Sequence, residues 1–310
     1  VEFSAGWGQT GIIGKLSLKF TNFSFANLFR KNDNFRGFLP QGDGQTLTIS
    51  GQTNGSYYQS YSISFLDPWF GGKRPNSLSV SAFYSVQTDV SSQYYNSAYL
   101  NNYYNYLYSY GNYYGNYYNN YESYYDPDKS IKMFGISLGW GKRLRWPDDY
   151  FTLMAELSYQ RFILKDWSYL YIKLNNGQYM NTGNCNNLSL NLTLSRNSTD
   201  NPIFPRYGSE FTASLQITPP YSLFSKKDYS TYGKDNYHDA ASMYKWIECH
   251  KWKFKAKTYT ALMDIQKCPV IMTRTEFGLL GHFNKYKRSP FETFYVGGDG
   301  MTGYSYNYAS

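Results

Sequence analysis

The sequence predicts an all-β chain: the wall of an antiparallel transmembrane β-barrel, apolar on one face and polar on the other. Three observations lead there. Alternation with a period of two residues recurs in about eleven segments, whereas helical stripes are scarce. Several of these segments run nine or more residues, longer than the about five or six usual in a soluble sandwich and close to the about 9 to 11 that cross a bilayer. The connections are also asymmetric. They are long after the fifth, seventh, ninth and eleventh segments, at roughly 91–129, 165–186, 219–244 and 283 to the end, and about ten residues or fewer after the fourth, sixth, eighth and tenth. Long loops on one side and short turns on the other is the arrangement of outer-membrane barrels, and a soluble sandwich shares only the alternation.

Composition narrows the alternatives. The charged fraction of 17% in 310 residues argues against charge-driven disorder and against a coiled coil, both of which need far more charge. Mean hydropathy is −0.59, and no stretch approaches the about 20 apolar residues of a spanning helix. The three cysteines, Cys185, Cys249 and Cys268, include no Cys-x-x-Cys pair and suit neither a disulfide scaffold nor a zinc site. The N-terminus has no basic region followed by an apolar core.

In chain order, Val1, Phe3, Ala5 and Trp7 give the first segment a short apolar face, with Gly6 and Gly8 opposite. The second sets Ile12, Gly14, Leu16, Leu18 and Phe20 against Lys15, Ser17, Lys19 and Thr21. The connection that follows, about 22–44, is longer than the pattern requires; Phe25, Leu28 and Phe29 stand at i, i+3 and i+4, which predicts a brief helix ending near Arg30. The fifth segment alternates Leu78, Val80, Ala82, Tyr84 and Val86 with serines and Gln87, and Phe83 is its one exception. The eighth sets Leu188, Leu190, Leu192 and Leu194 against Ser189, Asn191, Thr193 and Ser195, and the ninth sets Phe211, Ala213, Leu215 and Ile217 against polar neighbours. In the tenth, Lys251, Lys253, Lys255 and Lys257 share one face with Trp252 and Phe254 on the other, which reads as a lysine-lined lumen and a lipid-facing aromatic row rather than a nucleic-acid patch. Arg274 and Glu276 fall on one face of the eleventh and predict a lumenal ion pair. Phe65, Trp69, Phe70, Trp140, Trp146, Tyr159 and Trp167 lie near segment ends, where an interfacial girdle would place them.

Two segments invite a functional reading. Between Tyr94 and Tyr125 there are fifteen Tyr and eight Asn in 32 residues. Tyrosine supplies rigid amphipathic contact area, but an outward-facing low-complexity loop explains the tract more simply. Gly298 to Gly303 satisfies G-x-G-x-x-G, yet Tyr304 to Tyr308 is a poor opening for the helix a dinucleotide site needs. His238, His250 and His282 lack ligand spacing to cysteines or carboxylates. No nucleophile motif appears. The expected site therefore holds no catalytic residue, metal or cofactor, and the chain is not expected to be an enzyme.

Particular segments also resemble a known family. Val1 to Gly8 (VEFSAGWG), Gly14 to Phe29 (GKLSLKFTNFSFANLF), Leu66 to Gly72 (LDPWFGG), His250 to Lys257 (HKWKFKAK) and Pro290 to Tyr304 (PFETFYVGGDGMTGY) together resemble the membrane domain of BamA-type outer-membrane assembly factors. The similarity runs in order over nearly the whole chain apart from the long loops. It implies a barrel of about 16 strands preceded by periplasmic POTRA domains, located in the bacterial outer membrane. Such a barrel inserts other barrel proteins through a weak seam between its first and last strands. On that reading residues 1–310 form a partial barrel domain of eleven strands and the start of the next external loop, with POTRA domains and strands 12 to 16 outside this chain. Nascent outer-membrane proteins, accessory assembly subunits and outer-membrane lipid are the implied partners, and nucleic acid is not. The resemblance assigns client-strand pairing to Glu2, Phe3, Ser4, Ala5, Gly6, Trp7 and Gly8. It assigns an inward-folding loop motif to Gly297, Gly298, Gly300, Met301, Thr302, Gly303 and Tyr304. Thr302 stands where the family carries arginine. A transport barrel, either a porin or a two-partner secretion pore, is the alternative of a different class.

Overall fold

A computed structural model describes residues 1–8, 11–29, 40–55, 57–72, 76–90, 125–167, 172–173, 179–225, 227, 229, 242–263, 268–287, 289, 292, 294–296 and 307–309. Eleven strands form one antiparallel sheet in which each pairs with its neighbour in sequence. They are β1 (Glu2–Gly8), β2 (Gly11–Phe23), β3 (Gln45–Asn54), β4 (Tyr58–Asp67), β5 (Asn76–Val90) and β6 (Tyr125–Arg143). After them come β7 (Phe151–Lys165), β8 (Gly183–Asn197), β9 (Tyr207–Ile217), β10 (His250–Ala261) and β11 (Val270–Gly281). β1 and β11 do not pair with each other, so the sheet is open. Two short ladders stand apart from it, Ile172–Lys173 with Tyr179–Met180 and Phe294–Val296 with Asn307–Ala309. The second follows the glycine motif with a strand, where a dinucleotide site would need a helix.

Burial along the strands is the reverse of that in a soluble sheet. Leu16, Val80, Leu138, Leu157, Leu190, Leu192, Leu194 and Phe254 are exposed, while Ser17, Ser85, Ser158, Ser189 and Lys251 on the alternate face are buried. The apolar face therefore points outward and the polar face inward, as a wall facing lipid requires. Inward hydroxyls bond across the ladders: Ser50 with Ser62 and Ser81 with Ser137 at 2.7 Å, Ser158 with Ser189 at 2.8 Å, and Thr152 with Ser195 at 2.6 Å. Each pair sits in direct register, which lets two small polar side chains satisfy one another on a concave surface.

The apolar core lies at one end of this inner face. Ile131, Phe162, Leu164 and Cys185 from β6, β7 and β8 pack with Trp167 and with Tyr229, Met243, Tyr244 and Ile247 from the connection between β9 and β10. That connection folds inward because β9 leaves β8 at the Leu190–Ile217 pair, so residues 183–189 need another partner at that edge. Residues 245–247 supply it: the Asn186 N–H donates to the Lys245 carbonyl at 2.8 Å, and the Ile247 N–H donates to the Asn186 carbonyl at 2.9 Å. Trp167 departs from its expected place. It is 6% exposed within this cluster rather than in an interfacial girdle, whereas Trp69 and Trp146 are exposed as a girdle requires.

The opposite end carries the short turns, 68–75, 144–150, 198–206 and 262–269. The longer connection from β2 to β3 contains the expected helix, α1 (Phe25–Leu28), whose Ser24 hydroxyl accepts the Asn27 N–H at 3.1 Å. Between β8 and β9 the chain closes through Gly208, at φ +105°, where a Cβ would lie 2.2 Å from the Ser198 carbonyl oxygen. The approach of two backbones, Ser198 N–H to Ser209 carbonyl at 2.9 Å, requires glycine there. Cys249 and Cys268 sit toward opposite ends of the β10–β11 hairpin, with Cys249 donating its N–H to Thr218 Oγ1 at 2.7 Å and Cys268 beside the Arg206 guanidinium at 3.4 Å.

Candidate functional site

The predicted pairing edge, Glu2 to Gly8, is the whole of β1. It pairs with β2 from Glu2–Ser17 to Gly8–Gly11, and among the described residues no strand pairs with its other edge. Backbone N–H and C=O groups along that edge can accept another strand. Val1 is 95% and Phe3 73% exposed, on the same outward face as Leu16 of β2.

Among the described residues no side-chain hydrogen bond or ion pair joins β1 to β2, as is also true of the β2–β3, β4–β5 and β6–β7 ladders, whereas hydroxyl pairs join β3–β4, β5–β6 and β7–β8. Gly6 faces Ile13 and Gly14 faces Ala5, and a Cβ at either glycine would meet nothing within 4 Å. Neither glycine has a positive φ, so neither is there for backbone geometry or close packing.

The second element is the lumenal charge ladder. Lys257 faces Glu210 at 3.6 Å, Lys255 faces Glu276 at 3.6 Å, and Arg274 reaches Glu276 at 2.6 Å. These groups are 32% to 56% exposed, and screening by water makes each pair a small contribution to stability. Lys251 differs. It meets Glu292 at 3.0 Å with side chains 9% and 16% exposed, while the other Glu292 oxygen accepts the Gln216 amide at 2.8 Å. Glu292 belongs to the segment after β11, so that segment returns to the inner faces of β9 and β10. A second tie acts just before it: Lys287 meets Glu248 at 3.6 Å, and Glu248 also accepts the Ser222 N–H at 2.8 Å. Neither Glu292 nor Lys287 carries a signal in the sequence, because their partners lie in other strands and loops. The loop motif itself, Gly297, Gly298, Gly300, Met301, Thr302, Gly303 and Tyr304, lies outside the described residues, as does the tyrosine tract 94–124.

Among the described residues no cluster of His, Cys, Asp or Glu could hold a metal ion. No helix among the described residues is long and apolar enough to cross a membrane. What the geometry defines is a membrane β-barrel wall, apolar outside and polar within, with one end of its lumen covered by an inward-folded connection.

A family model described as the Omp85 superfamily domain matches residues 40–310, and the chain belongs to that superfamily. Its members are non-enzymatic outer-membrane proteins of insertion or transport, and the chain is accordingly a bacterial outer-membrane protein with a BamA-type barrel fold. The crystal structure of BamA from Haemophilus ducreyi lacking POTRA domains 1-3 is similar in fold, with a TM-score of 0.58 and 18% identity over 96% of this chain. The match spans 44% of the length of that structure. No curated protein matches the chain.

Proposed function

We propose that this chain forms part of an assembly factor that inserts β-barrel proteins into the bacterial outer membrane, and that an incoming client strand pairs along Glu2 to Gly8. The observation that supports this most is the β1–β2 ladder, which has no side-chain bonds among the described residues and two glycines that face open space. Glycine weakens a strand by about 0.5 to 1 kcal/mol at each position. A strand held mainly by its main chain can exchange partners at low cost, and main-chain hydrogen bonds supply affinity in strand addition. Phe3 and Ala5 would set the register on the membrane side, and Glu2 and Ser4 on the lumen side. The Glu292 anchor supports an inward path for the loop that carries Gly297 to Tyr304. Nascent outer-membrane proteins are the clients on this reading, and accessory assembly subunits act beside it.

Cysteines at Ser4 and along a client's last strand should crosslink during assembly, in one register. Assembly at the normal rate without any such crosslink removes the templating role of β1. A planar-bilayer measurement separates the transport alternative: steady conductance without client assembly in proteoliposomes favours a pore.

A further inference from the structure

We propose that the outward wall between β7 and β10 is a phospholipid-binding site, with an acyl chain in a groove over Ala213 and a headgroup phosphodiester on Arg196. This inference is independent of the client role proposed for β1 and uses only the membrane-facing orientation of the apolar wall.

The groove follows from register. Ala213 stands between Leu194 of β8 and Phe254 of β10, and one layer further from the short turns Leu215 stands between Leu192 and Trp252. A methyl group between two larger side chains leaves a depression. It measures about 320 Å³ and is lined chiefly by Leu153, Leu192, Leu194, Ala213, Trp252 and Phe254. That volume falls at the lower end of the about 300 to 1,000 Å³ typical of small-molecule sites.

A cation stands next to the groove, one layer toward the short turns. Arg196 follows Leu194 on the same outward face, in register with Phe151 of β7 and Phe211 of β9. Two residues along a strand is about 7 Å, so the guanidinium sits one layer below the apolar floor. It lies 5.5 to 5.8 Å from the centroids of Tyr150, Phe151 and Phe211, which hold it against the wall. Its Nε meets Asp148 at 2.9 Å, and its Nη1 donates to the Ser198 and Ser209 hydroxyls at 2.8 and 3.2 Å. Among the described residues Nη2 makes no hydrogen bond, and the side chain is 22% exposed.

An arginine on a lipid-facing wall is tolerated near the interface and disfavoured toward the midplane. Its position at the turn end of β8, with Trp146 and Tyr150 exposed nearby, fits the level of the headgroups. The periplasmic leaflet therefore presents phosphate to Nη2 of Arg196, whose two N–H groups are left over, and the planar guanidinium suits a phosphodiester better than a point charge would. Asp148 and the two serines keep the fork aimed; they do not fill it. The apolar groove begins where the glycerol backbone of such a lipid would give way to its acyl chain.

The test is native mass spectrometry of the chain in detergent, with phosphatidylglycerol or phosphatidylethanolamine added. Both carry the phosphodiester, and one lipid per chain is expected with either. Arg196→Gln should lower the bound fraction about tenfold, the scale of one charge-assisted hydrogen bond. Ala213→Leu should lower it comparably by filling the groove, and Arg145→Gln, an exposed charge in the adjacent turn, should leave it unchanged. Circular dichroism checks the fold of each variant. Ala213→Leu leaves the Arg196 contacts intact, so it carries the test should Arg196→Gln fail to fold. The proposal is overturned if lipid binds equally to the Ala213→Leu variant, if Arg145→Gln costs as much as Arg196→Gln, or if diacylglycerol binds as well as the phospholipids.

Discussion

Phe83 lies across Gly135 on the polar inner face, the two residues directly opposed in the β5–β6 ladder. A Cβ built on Gly135 would stand 2.3 Å from Cε1 of the phenylalanine ring. The ring therefore replaces the side chain that glycine lacks and covers a bare stretch of backbone. That explains how one aromatic residue is accommodated among serines. Gly135→Val should displace the ring and destabilise the wall by about 1 to 3 kcal/mol, the usual cost of overpacking. Urea unfolding in detergent measures it, and Phe83→Ala added to Gly135→Val should recover most of the loss.

Glu292 ties the segment after β11 to the lumen through Lys251 and Gln216. Its removal leaves Lys251, 9% exposed, without this carboxylate. Breaking one partner of a mostly buried pair costs about 3 kcal/mol or more. Glu292→Ala should therefore speed proteolysis around residues 285–288 several-fold in intact membranes, as read by the rate at which the cleaved fragment appears. Cleavage at the parental rate would show that Glu292 does not hold the segment.

Asp200 gives the β8–β9 turn a pH dependence. The N–H groups of Arg206 and Tyr207 donate to its carboxylate at 2.9 and 3.1 Å and hold its pKa below the usual carboxylate value. A group whose folded pKa is depressed contributes fully above its unfolded value, about 3.9, and loses that contribution as pH falls through the folded pKa. Amide exchange at Arg206 and Tyr207 should be slow near neutral pH and should accelerate, relative to the intrinsic rate, below about pH 4. Asp200→Asn should abolish the step. A profile unchanged by that substitution would remove Asp200 as its source.

The cysteines should differ in reactivity. Burial pushes the Cys249 thiol up to about 12, so almost no thiolate exists at neutral pH. Cys185 is fully buried, whereas Cys268 is partly exposed. Maleimide at pH 7.5 should label Cys268 in the folded protein, and label Cys185 and Cys249 only after denaturation. Mass mapping of the labelled peptides reads the result. Early labelling at Cys249 would mean that the connection between β9 and β10 opens readily.

The strands were legible because alternation is local. Leu188 to Ser195 shows both faces of β8 without reference to any other part of the chain, and the same holds for Phe211 to Thr218. The short helix after β2 was equally legible from the spacing of Phe25, Leu28 and Phe29, although the Phe25 ring also meets Phe65 of β4. Trp167 was misplaced for the opposite reason. Its position near a strand end suits a girdle, but it joins a cluster that includes Met243, Tyr244 and Ile247 from far along the chain. The resemblance, not the glycines of the first segment alone, proposed the pairing edge, and the open space around Gly6 and Gly14 is a property of two strands together.

The sequence by itself determined that this protein is a two-faced antiparallel wall, because side chains alternate across any strand whatever its neighbours are. It also determined where the turns fall, since glycine-rich and polar connections interrupt that alternation. Tertiary structure decided which inward groups meet: Glu292 with Lys251, Glu248 with Lys287, Phe83 with Gly135. It decided too that Arg196 stands one layer beyond an apolar groove that Ala213 opens two strands from Leu153. These contacts depend on strand register and on how a long connection folds back across the lumen. Register is a relation between segments, fixed only when the whole sheet pairs.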